Sequence, residues 1–232
     1  HEYGEDWTRQ AMAEIAVSTR KWANLNPMAY FYDKPVTFED YHNSKWVAWP
    51  FHLLDCCLVT DAGAAIVITT PERARDAKNG SVTILGAGEG HDHSGISQMP
   101  NLTQAFGMHT GPQALEMAGI THSDLDLAMI YDSFTYTVLV SIENLGFCAP
   151  GEGPDLVASQ RTAPGGDFPL NTNGGGLSYT HPGMYGIFTI VEAVRQLRGQ
   201  AGERQLGNCD LAVAHGTGGL LSSTGTVVLG VQ

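Results

Sequence analysis

The last third of the chain does most to restrict how it can fold. Over residues 184–197 the apolar side chains Ile187, Ile190, Val191, Val194 and Leu197 share one face of a helix, and Gly199 closes its end. Two short apolar runs follow, 211–214 and 226–229, which read as strands joined by a glycine-rich loop from His215 to Gly225. The same alternation appears upstream. Residues 64–69 form a short β-branched run that reads as a buried strand, 71–78 a helix, 81–85 a strand, 112–118 a helix, 125–130 a strand and 135–145 a helix. Residues 7–24 place Ala11, Met12, Ile15, Ala16 and Trp22 at near-helical spacing, predicting an amphipathic helix. Stretches 26–50, rich in aromatic residues, and 86–106 show no periodicity. Strands alternating with helices predict an α/β layered domain with both sheet faces covered.

Composition narrows the function. The 232 residues hold 12 Lys plus Arg against 24 Asp plus Glu, a formal charge of −12, so basic residues are too few for a duplex-binding surface. No apolar run approaches the roughly 18 residues of a membrane span. The cysteines Cys56, Cys57, Cys148 and Cys209 lack metal-type spacing and read as reduced thiols in a cytoplasmic setting. His91-Asp92-His93 signals no further ligand, so no metal site is expected. Glycine is abundant, 28 of 232, and clusters in short loops between apolar runs rather than in a linker.

Three of those loops carry candidate chemistry. His181 is preceded by Asn173-Gly174-Gly175-Gly176 and followed by Pro182-Gly183. Proline suits the first position of a helix, so His181 is expected at a helix N-terminus, where the dipole keeps an imidazole neutral and fit to act as a base. The alternative is a histidine that merely caps its helix. His215 opens His215-Gly216-Thr217-Gly218-Gly219 at a strand end, where α/β proteins gather ligands; the alternative is an ordinary hairpin turn. Tyr131-Asp132-Ser133-Phe134 ends a strand and opens a helix. Tyr131 there can donate to a developing oxyanion, whereas Asp132 can cap the helix.

In their order and spacing, Asp55-Cys56-Cys57-x-x-Thr60-Asp61-x-Gly63-Ala64-Ala65, the Tyr131 motif, Asn171-x-x-Gly174-Gly175 through His181-Pro182-Gly183, and the His215 loop resemble the C-terminal portion of the thiolase superfamily. The branch is that of sterol-carrier-protein thiolases and actinobacterial lipid-transfer proteins. The resemblance implies a layered α/β/α/β/α fold. Residues 1–60 would be connecting region and the end of the N-terminal half, and 61–232 the C-terminal thiolase-like domain, so the chain looks like part of a larger protein. It also implies carbon–carbon bond making or breaking on acyl-CoA, with coenzyme A as a substrate moiety and no covalently bound cofactor.

Within that family His181 matches the histidine that activates a nucleophilic cysteine, and Tyr131 a His or Asn of an oxyanion hole. His215 falls near a second, acid–base cysteine. Asn173, Gly174, Gly175, Gly218 and Gly219 are the candidate contacts for the ligand, because global charge would repel CoA and backbone amides could hold it. The nucleophilic cysteine itself belongs to the family's N-terminal half, and none of the four cysteines here matches it. The leading expectation is therefore an acyl-CoA C-acyltransferase-type enzyme. Tyrosine at 131 is also similar to steroid side-chain retro-aldolases, which use no such cysteine and are expected to lose the His-Pro pair. Tyr179 lies nearby but does not cleanly match their second tyrosine. A third reading is a non-catalytic acyl-CoA-binding subunit. The resemblance also implies a homodimer and, in some relatives, a small OB-fold or zinc-ribbon partner. The aromatic stretch from Tyr30 to Trp49, including Tyr41 and Trp46, is a candidate contact for either.

Overall fold

The computed structural model describes residues 4–219 and 221–231. Helix α1 (Gly4–Ala23) buries Met12, Ile15 and Trp22, as its spacing predicts. It is followed by α2 (Phe38–Asn43), a small hairpin of β1 (Trp46–Ala48) and β2 (Phe51–His52), and one turn of helix, α3 (Pro71–Ala74). The rest is β3 (Thr83–His91), α4 (Gly107–Ala118), β4 (Leu127–Ile130), α5 (Thr135–Asn144), α6 (Gly153–Val157), α7 (Gly186–Leu197), β5 (Leu211–Gly218) and β6 (Ser223–Gly230). The main sheet has the order β3-β6-β5-β4, with β4 parallel to β5 and the other pairs antiparallel.

Both faces of this sheet are covered. Ala128, Ile130 and Val213 face α4, α5 and α1 in one core, while Leu127, Met129, Ala212 and Ala214 face α7 in another. The alternation along β4 and β5 is what period-two side-chain geometry requires of a two-sided sheet. Residues at the start of the chain join the first core, because α1 packs against α5 and α6.

Four local expectations are corrected. Residues 64–69 form no strand: no partner pairs with them, and Val67 and Ile68 are 90% and 75% exposed. A β-branched run becomes a strand only when another backbone satisfies its edges. Strand β3 extends through Gly86, Gly88 and Gly90, where no pattern was visible. A Cβ at those positions would overlap Ala114 and Thr110 of α4 and the ring of Phe106, so glycine permits close helix-on-strand packing while hiding the strand signal. Residues His215 to Gly218, read as a loop, are paired with β6 from His215↔Thr226 to Gly218↔Ser223. Finally, α7 starts at Gly186, so Pro182 is not its first residue and His181 lies outside any helix. Among the described residues no helix is long and apolar enough to cross a membrane.

Candidate active site

Strand β4 ends at Ile130, and the backbone N–H of Tyr131 donates to the His215 carbonyl at 2.9 Å, so the tyrosine leaves the sheet in a fixed direction. Its side chain turns to the α7 face and packs with Tyr185 and Phe188. There the Tyr131 hydroxyl lies 3.0 Å from His181 Nε2, while the backbone N–H of Tyr185 donates to the same oxygen at 3.2 Å. The oxygen is therefore already an acceptor, and its own hydrogen has His181 Nε2 as the acceptor within reach. That arrangement needs the neutral His181 tautomer protonated at Nδ1. Burial keeps the His181 imidazole below its ordinary value and raises the Tyr131 phenol, so both groups stay neutral near pH 7. The cause is thus desolvation rather than a helix dipole.

The glycine loop is held from below. Asp132 is fully buried, and its carboxylate accepts the N–H of Gly176 at 2.6 Å and of Leu177 at 3.3 Å. Burial lifts its carboxyl to about 7, against the opposing pull of the Gly176 and Leu177 N–H groups. Gly174 and Gly175 adopt positive φ, and a Cβ on Gly175 would collide with the Asp132 carboxylate. Asn173 Oδ1 accepts both the Gly175 N–H and the Tyr185 hydroxyl, each at 2.8 Å. Of the amides expected to face a ligand, that of Gly174 donates to the Asn171 carbonyl at 2.9 Å and that of Gly175 to Asn173, so both are turned inward. Gly218 and Gly219 lie at the β5–β6 turn, at the edge of the molecule.

His215 is not brought to the pair. It is 1% exposed, its side chain lies on the opposite face of the sheet beside Gly107 of α4, and its Nδ1 is 2.8 Å from Thr226 Oγ1. Burial drops this imidazole to about 4. Of the three expected loops, two meet. Tyr185 joins them unannounced by the sequence, which marks it only as a residue near a helix start. Tyr179 is buried nearby with its ring edge-on to Phe188. A cleft of about 530 Å³ lies elsewhere, lined by Trp22, Leu125, Asp126 and Arg204 at the opposite end of β4 from Tyr131. In the aromatic stretch Tyr41 is fully buried, its hydroxyl donating to Asp55 at 2.7 Å, so it is no contact residue, whereas Trp46 and Trp49 are exposed.

A mixed sheet covered on both faces, with Tyr131 and His181 on the turns beyond β4 and before α7, defines the chain as a layered α/β protein. It belongs to the thiolase C-terminal domain-like family, whose model matches residues 88–231. The chain is 41% identical over 228 residues to a steroid side-chain-cleaving aldolase of Thermomonospora curvata, covering 94% of this chain and 56% of that protein. It is 41% identical over 216 residues to the 17-hydroxy-3-oxo-4-pregnene-20-carboxyl-CoA lyase of Mycobacterium tuberculosis, covering 91% and 55%. The solved structure of an Ltp2-ChsH2(DUF35) aldolase superposes with a TM-score of 0.89 at 36% identity, covering 96% of this chain and 58% of that one. The chain thus spans little more than half the length of these relatives.

Proposed function

We propose that this chain carries reacting groups of a thiolase-fold carbon–carbon lyase that cleaves a β-hydroxyacyl-CoA by a retro-aldol reaction. The observation that carries the reading is the 3.0 Å contact between the Tyr131 hydroxyl and His181 Nε2. It presents a phenol whose proton already has an acceptor, beyond the end of a sheet strand. When the substrate's β-hydroxyl gives its proton to the Tyr131 oxygen, the tyrosine's own proton passes to His181 Nε2. The Cα–Cβ bond breaks, the hydroxyl-bearing carbon becomes a carbonyl, and the bonding pair moves into the thioester as an enolate. The proton on His181 then returns to Cα, giving an acyl-CoA and restoring the neutral imidazole. None of this chain's cysteines is given a part in these steps. Burial raises the thiols of Cys56 and Cys57, the reverse of what a thiolate nucleophile needs. The aldolase and the lyase at 41% identity support this chemistry over acyl transfer, and the lyase's name supplies the substrate class, a hydroxylated steroid acyl-CoA. CoA enters as part of the substrate. The name Ltp2-ChsH2(DUF35) supports a second protein component.

A second reading, acyl transfer through a cysteine, is favoured by the His181-Pro182 pair. One experiment separates the two. The complete protein, with and without a DUF35-type partner, is incubated with 17-hydroxy-3-oxo-4-pregnene-20-carboxyl-CoA, and the ketone and acyl-CoA products are measured by mass spectrometry. Tyr131→Phe is expected to lower the rate by about 10²–10⁴-fold, the usual contribution of a positioned acid–base group. Retained turnover in that variant, or an acyl group found covalently on the protein, overturns the lyase reading.

A further inference from the structure

His181 lies between the turn at Gly175–Tyr179 and the start of α7 at Gly186, so no regular element fixes its position. What does is a strip of chain far away in sequence. The N–H of Cys57 donates to the Ser133 carbonyl at 3.0 Å, next to the corner that carries Tyr131. The N–H of Leu58 donates to the Gly176 carbonyl at 2.9 Å, in the loop that leads to His181. The N–H of His181 donates to Thr60 Oγ1 at 2.9 Å, the Thr60 N–H points back at the His181 carbonyl at 3.5 Å, and Thr60 Oγ1 lies 2.8 Å from Thr180 Oγ1. Past Thr60, residues 61–70 have no regular structure and are largely exposed, with Ala64 packed against the Tyr131–Tyr185 cluster.

We infer that Thr60 is a positioning residue for the Tyr131–His181 pair, acting through the peptide of His181. Asp132 fixes the base of the glycine loop at Gly176 and Leu177, four to five residues before the imidazole. Thr60 is the side chain that grips the His181 peptide itself. Without its hydroxyl, the His181 peptide keeps only the long 3.5 Å bond from the Thr60 N–H, and the 3.0 Å contact loses its register. Misplacement of a reacting group by about 1 Å costs on the order of 10²-fold in rate.

The inference rests on the lyase reading only for its kinetic arm. In the complete protein, Thr60→Val keeps the shape and removes the acceptor, and Thr60→Ser keeps the acceptor. Two measurements are made: steady-state cleavage of the steroid acyl-CoA, and nitrogen-15 NMR of the histidine rings, with His181→Gln assigning the signals. Thr60→Val is expected to lower kcat by roughly 10–100-fold with KM little changed. It should also move His181 off the Nδ1-protonated tautomer and shift the pH profile. The titratable groups facing the pair are Cys57 from the tether, Asp132 beside Tyr131, and Tyr185 before α7. Thr60→Ser should retain most of the turnover and the wild-type ring signals. Wild-type His181 signals in Thr60→Val overturn the inference, as does a Thr60→Ser variant as impaired as Thr60→Val. If Thr60→Val does not fold, the serine variant decides alone, because it removes only a methyl group. Absence of lyase turnover in the unmodified protein would overturn the proposed reaction, while the NMR comparison would still decide the role of Thr60.

Discussion

Burial acts on His215 and Asp132 in opposite directions, and their effects on stability oppose each other. In the unfolded chain His215 binds its proton below about 6.5, whereas folding holds it neutral down to about 4. Between those values the unfolded state binds more protons, so this residue makes stability rise with pH. Asp132 has an ordinary value of 3.8 and is raised to about 7, so between those values the folded state binds more protons and stability falls as pH rises. From pH 4 to 6.5 the two slopes, each up to about 1.4 kcal/mol per unit, nearly cancel. His215→Gln should therefore leave a protein whose stability declines from pH 4 to 7, and Asp132→Asn one whose stability climbs over the same range. Denaturant midpoints at pH 4.5, 5.5 and 6.5 check both, and unchanged slopes in either variant refute the assignment. At this scale the sequence was legible where local rules apply: a tyrosine ending a strand, and a histidine in a glycine loop. Tyr185 and Thr60 were not legible, because their contacts with Tyr131 and His181 span 54 and 121 residues and follow from the fold alone.

Helix α7 keeps only part of the arrangement expected of it. Of its periodic apolar face Leu197 is buried, while Ile187, Ile190, Val191 and Val194 are half-buried, and the polar side chains Thr189, Glu192 and Gln196 are buried against the body of the protein. Glu192 makes this possible. Its carboxylate takes Nε and Nη2 of Arg204 at 2.8 and 2.9 Å and the hydroxyl of Thr172 at 2.9 Å, satisfying every group it brings inside. Glu192→Ala leaves a buried guanidinium unpaired and should cost about 3–5 kcal/mol by denaturant unfolding, whereas replacing Glu192 and Arg204 together with Met and Leu should cost far less. In β3, Gly86→Ala drives a methyl group into the Ala114 carbonyl and should lower stability by at least about 1–3 kcal/mol, with a thermal melt as the readout. A near-neutral Gly86→Ala would mean that α4 can move away from the strand. Element types came through where the period was strong, in α1, α5, β4 and β6. In β3 the strand was read only over 81–85, because glycine removes the pattern beyond it, and the reading failed over 64–69, which pairs with no strand among the described residues.

Val59, Val67 and Ile68 are apolar side chains left exposed within one segment, Val59 at 98%. Exposed apolar side chains of this kind promote association. The 232-residue chain by itself should bind the dye ANS and elute from size exclusion as more than a monomer, and Val67→Lys with Ile68→Lys should reduce both without lowering the melting temperature by more than a few degrees. Unchanged dye binding in the double variant would place the sticky surface elsewhere. From its sequence alone the chain reads as an α/β protein, because periodicity acts over a few neighbouring residues, and its ordered motifs resemble the thiolase type, with Tyr131 and His181 as candidate site residues. Only the tertiary structure decided that Tyr131 meets His181 while His215 does not, since neighbouring strand residues turn to opposite faces and the two loops join through contacts that no local pattern encodes.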